Sequence, residues 1–457
     1  MKRRFLNLLL LMCLSPVVKA QEDAFTAVAN MRVGWNLGNT LDSNSGDVTN
    51  MWIEQWTSRT PADYEKAWGQ PVTTKALIHM FKEAGFNAIR VPVTWYPHFG
   101  TLNRTGLNWD PAKWTGYTVN ADWMKRVHEI VDYVIDEGMY CILNVHHDTG
   151  ASSTAWLRAE TATYDAQRQR YETLWKAIAN EFKEYGDKLL FESYNEMLDK
   201  YNSWCFASFA APGNYNATVA ADAYKAINSY AQSFVDVVRA TGGKNTQRNL
   251  VVNTYGACDG HGTWNSHLLD PLKQMALPSD EAGKGYIIFQ VHSYWDTNNY
   301  NASMRSEITS TMSNLNTYLI KKHNAPVIIG EWGSSSEWNA SNQSQVKNLT
   351  DFASYFTEKA KARGITCFYW MELADGKDRA TPTWTHPWLK DAVIKGYYGE
   401  GGYVDGIEEI EDRELKMADG EAAMERDAIY SLTGMRLSGK PAKGHPYIKG
   451  GRIIIAQ

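Results

Sequence analysis

The stretches LLFESYNE (189–196) and APVIIGE (325–331) decide the fold and the chemistry expected of this chain. Each begins as an apolar, strand-like run and ends on a glutamate, Glu196 in the first and Glu331 in the second. Burying an ionised carboxylate is costly, so a plain core strand would avoid it. Two such ends, each followed by a loop, indicate a working pair in which one carboxyl holds a proton and the other stays ionised.

Similar runs recur along the chain and alternate with amphipathic stretches. The other six are RVGWNLG (32–38), FNAIRVPV (86–93), MYCILNVHH (139–147), NLVVNTYG (249–256), YIIFQVHSY (286–294) and TCFYWME (366–372). Their nearly continuous apolar character is typical of parallel strands buried on both faces. Most intervening stretches end on glycine after a polar last turn, as helices do.

Eight strands with helical crossovers predict a (β/α)8 TIM barrel over roughly residues 30–395. A doubly wound open sheet is the alternative architecture. It would carry a glycine-rich phosphate loop after a strand, and GWNLGN (34–39) has the wrong glycine spacing for one. The barrel is therefore the expected fold class, with a short β-type tail at the C-terminus.

Composition narrows the classes of partner. The net charge of −5 indicates no basic surface for nucleic acid. The 18 Trp and 25 Tyr residues exceed what a core alone requires, and aromatic rings beside turns suit a cleft that stacks flat, weakly polar ligands such as sugar rings. A monomer is expected.

The N-terminus has the features of a signal peptide, predicted for residues 1–20. Basic residues 2–4 precede an apolar run that ends at Val18-Lys19-Ala20, and the run is too short for a comfortable membrane span. No later stretch is apolar enough to span a bilayer. We expect cleavage after Ala20 and a secreted or cell-surface protein.

Domain boundaries follow from a change of character near residue 400. Residues 21–400 form the predicted catalytic barrel, and 401–427 form a predicted acidic linker with ten acids against three bases in 405–427. Residues 428–457 contain no acid and alternate short β runs with glycine, which predicts a small β tail. This tail resembles the C-terminal sorting tails of some exported bacterial proteins; a stabilising β appendage is the alternative.

In a (β/α)8 barrel the functional face is built from the C-terminal ends of the strands. Polar or aromatic residues stand at seven of the eight predicted ends: Asn36, Asn39, Arg90, His146, His147, Asn195, Glu196, His292, Tyr294, Glu331 and Trp370. Any one of these has an ordinary structural explanation, such as a surface ion pair. Their joint occurrence predicts a site.

As a set, these motifs resemble glycoside hydrolase family 5. The resemblance rests on NAIRVP, LNVHHD, a strand ending in Asn-Glu, VHSYW, IIGEWG and a tryptophan after the eighth strand. GWNLGNTLD (34–42) resembles the branch rich in endo-β-1,4-glucanases and xyloglucanases. The family resemblance implies a retaining enzyme that cuts internal bonds of a β-glucan polysaccharide, without a metal or other cofactor.

The same resemblance implies roles for individual residues. Glu196 would be the acid/base and Glu331 the nucleophile, with carboxyl groups about 5–5.5 Å apart. Arg90 and Tyr294 would hydrogen-bond the nucleophile, and the Arg90 charge would lower its pKa. The remaining residues would bind or support the sugar: Asn39, His146, His147, Asn195, His292 and Trp370.

Two departures from the family pattern stand beside this site. Met197 replaces the proline often found after Asn-Glu, and Met371-Glu372 follows Trp370 where this branch often has Asp-Asn. The second leaves the sugar contacts beside Trp370 open.

Other interpretations remain open. A metal-dependent barrel hydrolase could use residues 146–148 (His-His-Asp) as ligands, although neighbouring strand residues face opposite ways. A β-mannanase, another β-glycanase or a non-catalytic sugar-binding barrel would use the same scaffold. Cys205 and Cys258 follow neighbouring strands, so an exported protein could bridge them by a disulfide.

Overall fold

The computed structural model describes residues 21–203, 209–210, 214–263 and 265–403, and three short strands at 429–430, 446–449 and 452–455. The predicted signal peptide, residues 404–427 of the predicted linker and Cys205 lie outside the described residues. Cys258 is buried, and its predicted disulfide to Cys205 stays a prediction.

Eight parallel strands close into a barrel, each hydrogen-bonded to the next in chain order and the last to the first. This confirms the predicted fold class. The strands are β1 (Gly34–Asn36), β2 (Ala88–Val91), β3 (Tyr140–Asn144), β4 (Leu189–Glu192), β5 (Leu250–Cys258), β6 (Ile287–Trp295), β7 (Val327–Ser334) and β8 (Thr366–Tyr369).

A helix follows each barrel strand. These helices are α1 (Lys75–Glu83), α2 (Ala121–Asp136), α3 (Thr161–Glu181), α4 (Ala217–Ala240), α5 (Asp270–Gln274), α6 (Ala302–Leu315, continued by a π-helical segment Asn316–Lys321), α7 (Gln343–Lys361) and α8 (Pro387–Tyr398). Side-chain caps start five of them by accepting backbone N–H bonds of the first turn, from Thr74, Asn120, Asn216, Asn301 and Asn342.

Smaller elements decorate the loops. Helices Trp52–Trp56 and Pro61–Ala67 lie between β1 and α1, and Lys377–Ala380 lies between β8 and α8. Phe99–Thr101 pairs with Thr115–Val119 in the loop after β2, and Phe209–Ala210 pairs with Asn214–Tyr215 in the loop after β4. Enlarged loops at the C-terminal ends of strands are where a barrel enzyme builds its site.

The lower half of the barrel is filled by apolar side chains. Helix Ala24–Met31 packs its buried face there, in one cluster with the inward residues of seven strands: Ala88, Tyr140, Ile142, Leu190, Val251, Ile288, Ile328 and Phe368. We call this cluster the lower layer. It has the composition of an ordinary core.

The inward position above this layer is polar on six of the eight strands. Because side chains alternate along a strand, the residues two further on share the inward face. These are Asn36, Arg90, Asn144, Glu192, Asn253 and Gln290, all fully buried. We call this set the upper layer; it includes the predicted site residue Arg90, which donates to Glu331 and Asn195.

A β-bulge in β7 determines which side chain enters the site. The register pairs Val291 with Ile329 but His292 with Glu331, so Gly330 is the extra residue. A Cβ at Gly330 would lie 2.3 Å from the inward Gln290 side chain, so any larger residue there would force Gln290 to move. Such a bulge re-aims the residue that follows, and here Glu331 turns inward to reach Arg90.

The C-terminal strands form a small sheet of their own. Ile429–Tyr430, Pro446–Lys449 and Arg452–Ile455 pair as a three-stranded antiparallel sheet. The chain divides into two compact units after Asp405. The expected domain boundaries stay predictions.

Candidate active site

Two hydrogen bonds hold Glu331, one to each of its carboxylate oxygens. Arg90 Nη1 donates to Oε1 at 2.7 Å, and the Tyr294 hydroxyl donates to Oε2 at 2.8 Å. Arg90 lies on β2 and Tyr294 on β6, so the carboxylate is fixed from both sides of the barrel. These are the contacts expected of a carboxylate that must keep one orientation.

Glu196 lies in the loop after β4 and not at the end of the strand itself. β4 ends at Glu192, and Asn195 and Glu196 follow in the loop. His292 on β6 joins the two glutamates, since its Nδ1 is 2.7 Å from Glu196 Oε1 and 3.5 Å from Glu331 Oε2. One oxygen from each glutamate and one His292 nitrogen lie within 4.8 Å of one another.

Burial governs the titration of both glutamates. It raises the pKa of Glu196 to about 7, against a smaller opposing effect of the Arg90 charge. Burial also raises the pKa of Glu331, while His292, Arg90 and the Tyr294 hydrogen bond oppose the rise. Arg90 therefore acts in the direction expected from the sequence, but the net shift is upward because desolvation is larger.

The histidines of the site are held neutral. Burial lowers the pKa of His292 to about 4 and that of His146 well below its usual value. Asn144 Nδ2 lies 3.0 Å from His146 Nδ1, and Asn144 Oδ1 accepts from a backbone N–H, so Nδ2 is the donor. The closer contact makes His146 Nδ1 the acceptor and places the ring proton on Nε2, although Asn195 Nδ2 also lies 3.4 Å from Nε2.

Asn195 and Trp370 complete the surroundings of the two glutamates. Arg90 Nη2 donates to Asn195 Oδ1 at 2.7 Å, which leaves the amide group of Asn195 to act as a donor. The Trp370 ring lies parallel to the His146 ring at 5.9 Å between centroids. Trp370 also covers Gly38, where a Cβ would lie 2.8 Å from the indole ring.

The other two predicted residues lie at the edge of this set. The His147 ring meets His146 edge-on at 4.5 Å, and its Nε2 is 3.8 Å from an Asp42 oxygen. Asn39 has a left-handed backbone with φ of 57°, and its N–H donates to Asp42. This hydrogen bond ties the Asn39 backbone to a turn after β1.

Glu192 was missed as a site residue although it stands in LLFESYNE. It is completely buried and bonds Arg90 through both oxygens. The signal was available, because a glutamate at the inward position after Leu190 interrupts an apolar strand. The upper-layer residues Asn144 and Asn253 also interrupt apolar strands, and they were missed as well.

Asp148, one of the ligands in the metal-dependent alternative, has another role in the structure. Asp148 accepts the N–H groups of Trp95 and Tyr96 and the indole N–H of Trp156, which holds loops together. The donor atoms that do approach within 4.8 Å are those of Asp42, His146 and His147, and those of Glu196, His292 and Glu331. In the second group Glu196 hydrogen-bonds His292, and Glu331 accepts from Arg90 and Tyr294; in the first, His147 Nε2 and Asp42 lie 3.8 Å apart.

An open cavity of about 560 Å³ lies between the loops that follow β7 and β8. Trp338, Glu372, Asp375 and His386 line it together with Ser334–Ser336. The Trp338 indole donates to Glu372 at 3.3 Å. Glu372, the departure noted after Trp370, therefore lies in this cavity beside an aromatic ring.

A closed (β/α)8 barrel with one carboxylate in the loop after β4 and the other in the C-terminal half of β7 has the architecture of a barrel glycosidase. The sequence matches the cellulase (glycosyl hydrolase family 5) domain over residues 47–375. The chain belongs to glycosyl hydrolase family 5, and it is a cellulase-like glycoside hydrolase.

Named relatives agree with this assignment. Endoglucanase A of Clostridium longisporum is 32% identical over 389 residues, which are 83% of this chain and 66% of that protein. The chain therefore spans slightly less than two thirds of that relative. Endoglucanase A of Ruminococcus albus is 30% identical over 394 residues, covering 81% of this chain and 92% of that protein.

Solved structures extend the likeness. A GH5-4 broad specificity endoglucanase from an uncultured bacterium is 47% identical with a TM-score of 0.75, over 84% of this chain and 98% of that one. A mutant of a Prevotella bryantii family 5 enzyme, in complex with a xyloglucan tetradecasaccharide, is 38% identical with a TM-score of 0.69. That match covers 83% of this chain and 99% of the other.

Proposed function

We propose that the protein is a secreted, retaining endo-β-1,4-glucanase that works through Glu196 and Glu331. The observation that carries the proposal is the pair of carboxylates within 4.8 Å, one bonded to Arg90 and Tyr294 and the other with a pKa raised to about 7. A separation of about 5–5.5 Å between carboxyl groups suits direct attack, whereas inversion needs room for a water.

In the first step Glu331 attacks the anomeric carbon and Glu196 donates its proton to the leaving oxygen, so the glycosidic bond breaks as the glycosyl-enzyme forms. In the second step Glu196, now ionised, takes a proton from water as the water attacks that carbon and releases Glu331. Asn195 would donate to the sugar 2-hydroxyl. His146, with its proton on Nε2, would donate to the sugar or to Glu331.

The substrate we propose is a β-1,4-linked glucan: cellulose-type, mixed-linkage or xyloglucan. Its support is the endoglucanase relatives, the xyloglucan-bound neighbour, and the cavity at Trp338 and Glu372, which would lengthen the cleft beyond Trp370. A β-mannanase is the second candidate on the same barrel. A polysaccharide panel with product sizing tests this proposal; release of monosaccharide alone from chain ends would contradict the endo mode.

The division of labour is tested with Glu196→Ala. This variant should lose about 10³-fold in polysaccharide cleavage, yet it should keep glycosylation by an aryl β-cellobioside whose leaving group needs no proton. Azide should then accelerate turnover and give a β-glycosyl azide. An α-configured azide product would indicate inversion and contradict the retaining mechanism.

Secretion is proposed from the N-terminal sequence and not from the described residues. Within the described ranges, no helix is long and apolar enough to cross a membrane. N-terminal sequencing of the exported protein should begin at Gln21. Deleting residues 403–457 should leave catalysis intact and, if the tail is a sorting signal, change where the protein accumulates; lost activity in the purified truncation would contradict the proposed boundary.

A further inference from the structure

Glu192 is the centre of the buried hydrogen-bond network beneath the two glutamates. Arg90 Nε donates to its Oε2 at 2.7 Å and Arg90 Nη2 to its Oε1 at 2.8 Å. Asn144 and Asn253 also donate to Oε1, at 3.1 and 3.3 Å. Burial opposes ionisation, but Arg90 outweighs it, so the pKa of Glu192 lies below its usual value.

Two links connect Glu192 to groups that would face the substrate. Through Arg90 it reaches Glu331 and Asn195, because the same guanidinium donates to both. Through Asn144 it reaches His146, because Asn144 Nδ2 donates both to Glu192 and to His146 Nδ1. A single buried carboxylate thus orients the partners of the nucleophile.

The charges of this network do not cancel. Arg90 carries one positive charge and bonds two carboxylates, Glu192 and Glu331. With both ionised, the trio has a net charge of about −1. An arginine paired with Glu331 alone would instead form a neutral pair and withdraw electron density from the attacking oxygen.

We propose that Glu192 is a positioning residue whose negative charge offsets Arg90, so that Glu331 stays nucleophilic, and whose hold on Asn144 fixes the Nε2–H form of His146. The proposal rests on the two-glutamate mechanism proposed above. Glu192 touches no substrate and acts only through Arg90 and Asn144.

The test compares Glu192→Gln with Glu192→Asp, because the first removes the charge at nearly constant shape and the second keeps the charge on a shorter side chain. The charged or titratable groups facing this network are Arg90, His146, Glu196, His292, Tyr294 and Glu331, and both variants retain all of them. Thermal unfolding confirms that each variant is folded before kinetics are measured.

In Glu192→Gln, Glu331 alone would balance Arg90. The acidic limb of the kcat/KM profile should move down by about one pH unit. The glycosylation rate with an activated aryl β-cellobioside should fall about 100-fold, and KM should change less than threefold. In Glu192→Asp the acidic limb should stay within about 0.3 unit of wild type, while kcat falls about tenfold because the grip on Arg90 is lost.

An unshifted acidic limb in Glu192→Gln would overturn the proposal, because it would mean that Glu192 only packs. The same shift in both variants would also overturn it, because Glu192→Asp keeps the charge. If Glu192→Gln does not fold, Glu192→Asp decides: wild-type kcat there overturns it. Failure of the mechanism itself looks different, because Glu331→Gln would then remain active. Loss of activity in Glu331→Gln with an unshifted Glu192→Gln profile removes the role of Glu192 alone.

Discussion

The two inward layers of the barrel lie two residues apart on the same strands and obey opposite rules. On β4 the lower layer has Leu190 and the upper layer has Glu192; on β3 the pair is Ile142 and Asn144. The lower layer gains free energy of folding by removing apolar surface from water. The upper layer buries charges and amides, whose desolvation offsets most of what their hydrogen bonds return.

The difference separates stability from chemistry within one strand. A buried ion pair is weak evidence for stability, since a well-packed apolar replacement is often at least as stable. The Arg90 network is therefore best explained by the site residues that it holds in place, Glu331 and Asn195. The comparison predicts that Glu196 and Glu331 variants lose activity at nearly constant stability, whereas lower-layer variants lose stability at nearly constant activity.

The largest effect is expected for Glu331→Gln. Turnover of every substrate should fall on the order of 10⁵-fold, because no other group can attack from that position. The melting temperature should stay equal or rise, since Glu192 still balances Arg90 and one buried charge is removed. Reducing-sugar assays and thermal unfolding check both parts; activity within about 100-fold of wild type would place the nucleophile elsewhere.

The opposite pattern is expected for Leu190→Ala in the lower layer. Loss of a fully buried leucine should lower the free energy of unfolding by about 3 kcal/mol. The kcat of the folded enzyme should stay within about twofold, because Glu192 and Arg90 keep their contacts. Urea unfolding and kinetics on one preparation separate the two. A fall in kcat that matches the loss of stability would mean that the layers are not independent.

The sequence predicts the lower layer and the barrel well, because period and composition determine them. Apolar runs, glycine stops and helix caps each act locally, so eight strands can be counted without coordinates. The strand-end rule likewise places Arg90, His292 and Tyr294 near Glu331. What it could not supply is a bulge: strict alternation from Ile328 would turn Glu331 outward, and only the register shift at Gly330 turns it in.

The pKa values of the site residues also could not be predicted from the sequence. From the sequence, Arg90 should lower the pKa of Glu331, but the net shift is upward because burial depends on packing that no motif reports. Glu192 was overlooked for a related reason. In the sequence, a glutamate four residues before Glu196 looks like the solvated end of a strand. In the barrel it is completely buried.

A pH profile sharpens the comparison at the level of the site. In the proposed mechanism Glu196 must be protonated to act as the acid, and burial raises its pKa to about 7. Since the protonated fraction falls above that pKa, kcat/KM on polysaccharide should decline tenfold per unit above pH 7. With an activated aryl β-cellobioside that basic limb should disappear. A limb that persists would assign it to another group.

The smallest effect tests how closely β1 approaches the ring above the upper layer. In Gly38→Ala the new Cβ would lie 2.8 Å from the Trp370 indole, so the ring must move away from its position parallel to His146. We expect kcat/KM to fall about three- to tenfold, with a changed tryptophan fluorescence spectrum. Gly186→Ala is the matched control, because a Cβ there meets nothing within 4 Å. Equal, unaltered kinetics in both variants would show that the position of Trp370 does not limit the reaction.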